Sequence, residues 1–108
     1  MKYLIVSLLA VAALSAAPGK QTFTGIITDD MCARDGHASM RMGPTDAECT
    51  TACVSVHGAA YVLSDGKNVY TLSDQQMPET FAAQKVTVIG TLDARTKTIK
   101  VDSITAAK

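Results

Sequence analysis

The sequence predicts a mainly β domain: five short strands closed into a small barrel, with a cysteine-bearing helix inserted between the first two. Three observations predict it. Five segments rich in β-branched and aromatic residues are separated by clusters of Gly, Asp, Ser and Thr. One well-capped helical stretch, entered at Thr45 and left at Gly58, interrupts the series after its first strand. Five short strands in one small domain also need their edges covered, and closure into a barrel removes them.

The elements follow in order. Met1 and Lys2 give a positive start, residues 3–14 are an almost unbroken apolar run, and Ser15-Ala16-Ala17 offers a small-residue cleavage site. This is the pattern of an export signal, and the apolar run is short of the roughly 20 residues that span a bilayer. Residues 1–17 are therefore expected to be a signal peptide, giving an exported periplasmic or extracellular protein without a stable membrane anchor. Residues 18–108 leave about 90 positions, enough for one small domain.

Residues 22–28 (TFTGIIT) form the first predicted strand, with Gly25 marking a bulge or a close approach, and Asp29-Asp30 ends it. Residues 31–44 have no period and contain two glycines and a proline, which predicts a loop with at most one helical turn. Thr45 and Glu48 form a capping box, and Gly58 a C-terminal stop, so a helix is expected over 46–57. Residues 60–63 and 68–72 flank Ser64-Asp65-Gly66-Lys67 as a hairpin. Ser73-Asp74 opens a short helix reaching about residue 84, with Pro78 in its first turn. Residues 85–92 put Val86 and Val88 on one face, and 97–104 put Ile99 and Val101 on one face.

Five strands with a helix between the third and fourth are the order of an OB-type barrel. The fragments Gly25-x-Ile27, Tyr61-Val62-Leu63, Val69-Tyr70-x-Leu72, Val86-x-Val88-x-Gly90-x-Leu92 and Ile99-x-Val101-x-Ser103-Ile104 look like those of exported bacterial OB-fold domains. The chain resembles small secreted proteins with a Gly-x-Ile-x-Asp-x-x-Cys start, here Gly25 to Cys32, and a Cys-x-x-x-Cys helix, here Cys49 to Cys53. The resemblance covers nearly all of residues 22–104. It implies a fold and a compartment; the family brings no established activity.

Charge excludes one class of function. Ten Lys plus Arg, one of them Lys2 in the leader, stand against ten Asp plus Glu, with no basic stretch. A nucleic-acid binder needs clustered cations to displace counterions from phosphate, and this chain has none. The chemistry lies elsewhere: all three cysteines and both histidines fall between Cys32 and His57.

Three uses of that cluster compete. A structural disulfide would join two of Cys32, Cys49 and Cys53; a Cys32 bridge to either helix cysteine would close a loop worth about 3 kcal/mol in the chain-entropy model. A bridge from Cys49 to Cys53 would be strained, because their Cβ vectors both point along the helix. Either pairing leaves one thiol over. A metal site would use Cys32, His37, Cys49 and Cys53, a Cys₃His set that suits zinc. Met40 and Met42 add soft donors that suit copper, and His57 is a substitute ligand on the same helical face. A thiol-redox role would require a lowered thiol pKa, which Asp46 and Glu48 beside Cys49 oppose, and the spacing is not Cys-x₂-Cys. Each histidine also has a plain reading, His57 at a helix C-terminus and His37 in a polar loop. Asp29-Asp30 form a carboxylate pair suited to acid–base work or calcium, but a strand-end turn explains them at least as well and no further oxygen ligand follows at useful spacing. The sequence favours a binding domain over an enzyme, with a disulfide-stapled insertion and a protein, peptide or glycan partner for the barrel; zinc or copper binding is the leading alternative.

Overall fold

The computed structural model describes residues 19–107. The export leader expected over residues 1–17 lies outside the described residues. Among those described, no helix is long and apolar enough to cross a membrane.

Five strands form: β1 (Gln21–Asp29), β2 (Tyr61–Ser64), β3 (Val69–Leu72), β4 (Lys85–Asp93) and β5 (Thr98–Ala106). They hydrogen-bond in the order β1-β2-β3-β5-β4, and β4 returns to β1, so the sheet closes on itself. All pairs are antiparallel except β3 with β5, where Thr71 faces Thr98 and Leu72 faces Ile99. Closure depends on β1 serving two neighbours. Its first half pairs with β4 from Gln21 to Ile26, and its second half pairs with β2 from Ile26 to Asp29.

Gly25 sits at that changeover, in register with Val86. A Cβ there would lie 2.5 Å from the Ser64 carbonyl oxygen, so the glycine serves a close approach and not a bulge. The bulge lies elsewhere. Ile89 pairs with Ser103 but Gly90 pairs with Val101, which leaves Asp102 as the extra residue of β5. The extra residue resets the strand's alternation, so Ile99 and Ile104 both reach the core despite their odd spacing. That core is Ile27, Tyr61, Leu63, Leu72, Val86, Val88, Ile99 and Ile104. Burying each large aliphatic side chain fully contributes roughly 1.5–3 kcal/mol.

The hairpin forms as expected, its turn held by Asp65, whose carboxylate accepts from the Lys67 and Asn68 amides at 2.8 and 2.6 Å. The short helix after β3 is a single stretch of 3₁₀ helix, Met77–Phe81, tighter and shorter than the sequence suggests. Asp74 supplies its entry by accepting from Gln76 and Met77, both at 2.9 Å. Pro78 near its start fixes the first turn and is itself buried.

Between β1 and β2 lie three helices: α1 (Asp30–Asp35), α2 (His37–Met40) and α3 (Asp46–His57). The stretch 31–44 is thus more helical than its sequence predicts. Gly36, at φ 82°, separates α1 from α2 with a backbone turn that side-chain-bearing residues rarely adopt. α3 has the bounds the sequence predicts. Thr45 Oγ1 accepts from the Glu48 amide at 3.1 Å, and Gly58 closes the helix at φ 70°. The reciprocal half of the capping box is absent, since the Glu48 carboxylate meets the Thr45 hydroxyl and not its amide.

The bulge and the close contact at Gly90 give a stability prediction. A methyl group on Gly90 would run into the Lys100 carbonyl and press on the Ile99 side chain. Gly90→Ala should lower the unfolding free energy by about 1–3 kcal/mol. Gly19→Ala, with nothing within 4 Å of its new methyl, should stay within about 0.5 kcal/mol of the parent. Urea unfolding midpoints of the two variants check this.

Candidate metal centre

The site begins where β1 ends. Asp29 is the N-cap of α1, its Oδ2 accepting from the Cys32 amide at 3.0 Å. That bond turns the chain off the barrel and drives Cys32 inward, where it is 4 % exposed. Asp30, the next residue, points the other way. Its carboxylate accepts from the Ala60 amide at 3.2 Å, and its own amide donates to the Ala60 carbonyl at 3.0 Å. The two neighbouring carboxylates therefore do different work: Asp30 ties the two ends of the insertion together, and Asp29 enters its interior.

From the far side, α3 presents Cys49 and Cys53, one turn apart and both fully buried. Cys32 lies between them, its Sγ 3.6 Å from Cys49 Sγ and 4.0 Å from Cys53 Sγ. No pair is at the roughly 2.05 Å of a disulfide. All three cysteines are free thiols, so the bridge expected from the sequence is not formed. Cys32 stands over both helix cysteines and is bonded to neither.

His37, at the start of α2, completes one side of the cluster. One of its ring nitrogens and the sulfurs of Cys32 and Cys49 lie within 4.8 Å of one another. Its Nδ1 is buried and has no hydrogen-bond partner among the described residues. A second triad shares Cys32: an Asp29 carboxylate oxygen and the sulfurs of Cys32 and Cys53 also lie within 4.8 Å of one another. The Met42 amide donates to Cys49 Sγ at 3.3 Å, an N–H···S contact of the kind that steadies a thiolate.

The four leading ligands expected from the sequence are thus Cys32, His37, Cys49 and Cys53, and all four belong to these two triads. Met40 and Met42 are half-buried and pack on the cysteine cluster with Met31. They are in place as soft neighbours. His57 is not. Four-residue steps along a helix drift by about 40°, so the eight residues from Cys49 turn His57 well off the cysteine face. It stands exposed at the C-terminus of α3, apart from both triads. Asp29 is the residue that the sequence reading kept out of the Cys/His ligand set, weighing it only with Asp30 as a carboxylate pair. Its signal was the Asp-x-x-Cys spacing, which is an N-cap spacing, and the pair Asp29-Asp30 concealed it.

Electrostatics favour neutral thiols in the metal-free protein. Burial pushes the Cys32 thiol up, and the adjacent Asp29 carboxylate pushes it further by hydrogen bonding and by charge. Cys53 is raised too, first by burial and then by the charge of Asp29. A thiol-redox enzyme needs the opposite shift. The titratable groups facing these thiols are Asp29 from β1, His37 from α2 and the cysteines of α3.

These shifts carry a sign. A thiol raised above its unfolded value near 9.0 stabilises the fold fully below that pH and loses the contribution as pH rises through the folded value. The reduced, metal-free protein should therefore lose stability between pH 8.5 and pH 10.5, as read by urea midpoints across roughly that range. Tyr61 is also raised by burial, so the Cys32→Ala variant is the control, and it should flatten the slope. A scan against protein-family models gave no match to this chain, and neither did searches of curated proteins and of solved structures.

Proposed function

We propose that the chain is a soft-metal-binding protein: an exported, OB-like barrel that carries one thiolate-bound metal ion in the insertion between its first two strands. Cys32, His37 and Cys49 form the first ligand triad, and Cys53 supplies a further sulfur. The observation that carries the reading is the sulfur spacing. Zinc–sulfur bonds of about 2.3 Å arranged tetrahedrally place their sulfurs about 3.8 Å apart. The separations from Cys32 are 3.6 and 4.0 Å. Thiols in plain van der Waals contact would be spaced similarly, and the imidazole separates the two cases. A buried ring nitrogen without a partner is costly unless something binds it, and His37 Nδ1 is such a nitrogen.

When bound, the ion replaces the thiol protons as the charge partner of the sulfurs, and it supplies coordination energy to the insertion. The residues then have distinct tasks. Cys49 is held by the Met42 amide, Cys32 is fixed by the cap on α1, and His37 closes the side facing α2. The methionines exclude water from the sulfurs. A second use of the same contact is an oxidised clamp, Cys32 to Cys49, which the 3.6 Å separation favours over Cys32 to Cys53. In that use the barrel face, and not the cluster, would engage a partner.

The two uses part on one measurement. Protein reduced under argon and titrated with Zn²⁺ or Cu⁺ should bind one equivalent or more, release protons and gain thermal stability. Cys49→Ser should weaken that binding by tenfold or more, and His37→Ala by roughly 10–100-fold. A reduced protein that takes up neither ion and shows no thermal shift overturns the metal reading.

A further inference from the structure

We infer that Asp29 is a metal donor as well as a helix cap, and that its carboxylate tilts the site towards a divalent ion such as zinc and away from monovalent copper. The inference rests on the metal reading above and names the ion that reading leaves open.

Asp29 is fully buried, yet only one of its two oxygens is accounted for. Oδ2 accepts from the Cys32 amide at 3.0 Å; Oδ1 is buried with no hydrogen-bond partner. A buried carboxylate oxygen without a partner is among the costliest groups a fold can carry. Among the described residues no ion pair reaches it. The ion pairs among the described residues are Lys20–Asp102, Arg34–Asp35 and Arg41–Asp46, all at the surface. What the side chain does face is sulfur, for its carboxylate shares a 4.8 Å triad with Cys32 and Cys53. A buried carboxylate facing two thiols that give up their protons on coordination defines a position for a cation.

Charge and hardness then select the ion. At the Asp29–Cys32–Cys53 triad, two thiolates and one carboxylate would place three negative charges at a buried position. A divalent ion leaves a net charge of minus one there and a monovalent ion minus two, and the buried excess is penalised. Carboxylate oxygen is a hard donor found in zinc sites at about 2.0–2.2 Å, whereas Cu⁺ is selected by thiolate and thioether. Met31, Met40 and Met42 lie on the same cluster and favour copper. Asp29 is the counterweight to them, and it sits on the opposite branch of the cluster from His37.

Asp29→Asn tests this cleanly. Asparagine is as good an N-cap as aspartate, so the bond to the Cys32 amide survives while the anionic donor is lost. Reduced wild-type and variant proteins are titrated anaerobically with Zn²⁺ and with Cu⁺ against competing chelators. The variant should lose roughly tenfold or more in zinc affinity and keep its copper affinity within about threefold. An unchanged zinc affinity, or an equal loss for both ions, overturns the inference and leaves the metal reading standing. Failure of the wild type to bind either ion overturns both. A wild-type measurement decides the matter even where the variant folds poorly. The infrared difference spectrum should show a shifted carboxylate band on adding one equivalent of Zn²⁺ but not of Cu⁺, and the absence of any zinc-induced shift overturns the inference.

Discussion

The rest of the insertion depends on packing between sulfur atoms. Residues 30–60 contain no Leu, Ile, Phe, Tyr or Trp, so methionine and valine are the larger apolar side chains the three helices can bury. Their interior is Cys32, Cys49, Cys53 and Ala59, with Met31, Met40, Met42 and Val54 packed around them. Such a core removes little apolar area from water, and the ordering of some 30 residues opposes it at about 1–2 kcal/mol per residue of backbone entropy. Small domains of this kind are held by a bridge or a metal. Structural zinc in small folded peptides is worth about 10–16 kcal/mol, comparable to the whole stability of a typical domain. A bound ion would therefore contribute more to ordering the insertion than any one of its small side chains.

Much of the barrel was legible because its signals are local. Thr45 and Gly58 fix both ends of α3, and alternating valines mark β4, since capping and period-two burial need no partner to be read. The bulge at Asp102 was not legible: it exists only as a mismatch with β4, and Ile99, Val101 and Ile104 look irregular until the two strands are paired. The helices α1 and α2 were missed for a related reason. They are six and four residues long, too short to stand by propensity, and they form because Asp29 caps one and Gly36 joins them.

The site divided along the same line. Cysteine and histidine announce themselves by type, so Cys32, His37, Cys49 and Cys53 could be gathered before any fold was known. Which of them converge depends on the angle of a helical face. His57 keeps the four-residue spacing and loses the direction, as the drift of an α-helix requires. Aspartate carries no such announcement. Asp29 and Asp30 are indistinguishable in the sequence, and one hydrogen bond apiece sends the first into the sulfur cluster and the second to the Ala60 amide.

These contacts also give the molecule two cores of different chemistry, joined where α1 and α3 pack on β1 and α1 packs on β2. The barrel core is aliphatic and closed by its own ladder, whereas the insertion core is sulfur. Among the described residues Val54 is the partly buried side chain packed against both cores, and Asp30 with Ala60 fastens the neck between them. Because the neck is held by backbone hydrogen bonds that no ion touches, losing an ion from the sulfur cluster would loosen α1, α2 and the start of α3 before it reached the strands. The candidate ligands divide in the same way. Asp29 belongs to the last rung of β1 and faces Tyr61 across the sheet, so one donor is fixed by the barrel while the others ride on the helices. An ion that engages Asp29 would thereby couple the insertion to the barrel, and an ion that engages sulfur and imidazole alone would leave the coupling to the neck and to the packing of α1 and α3 on the strands.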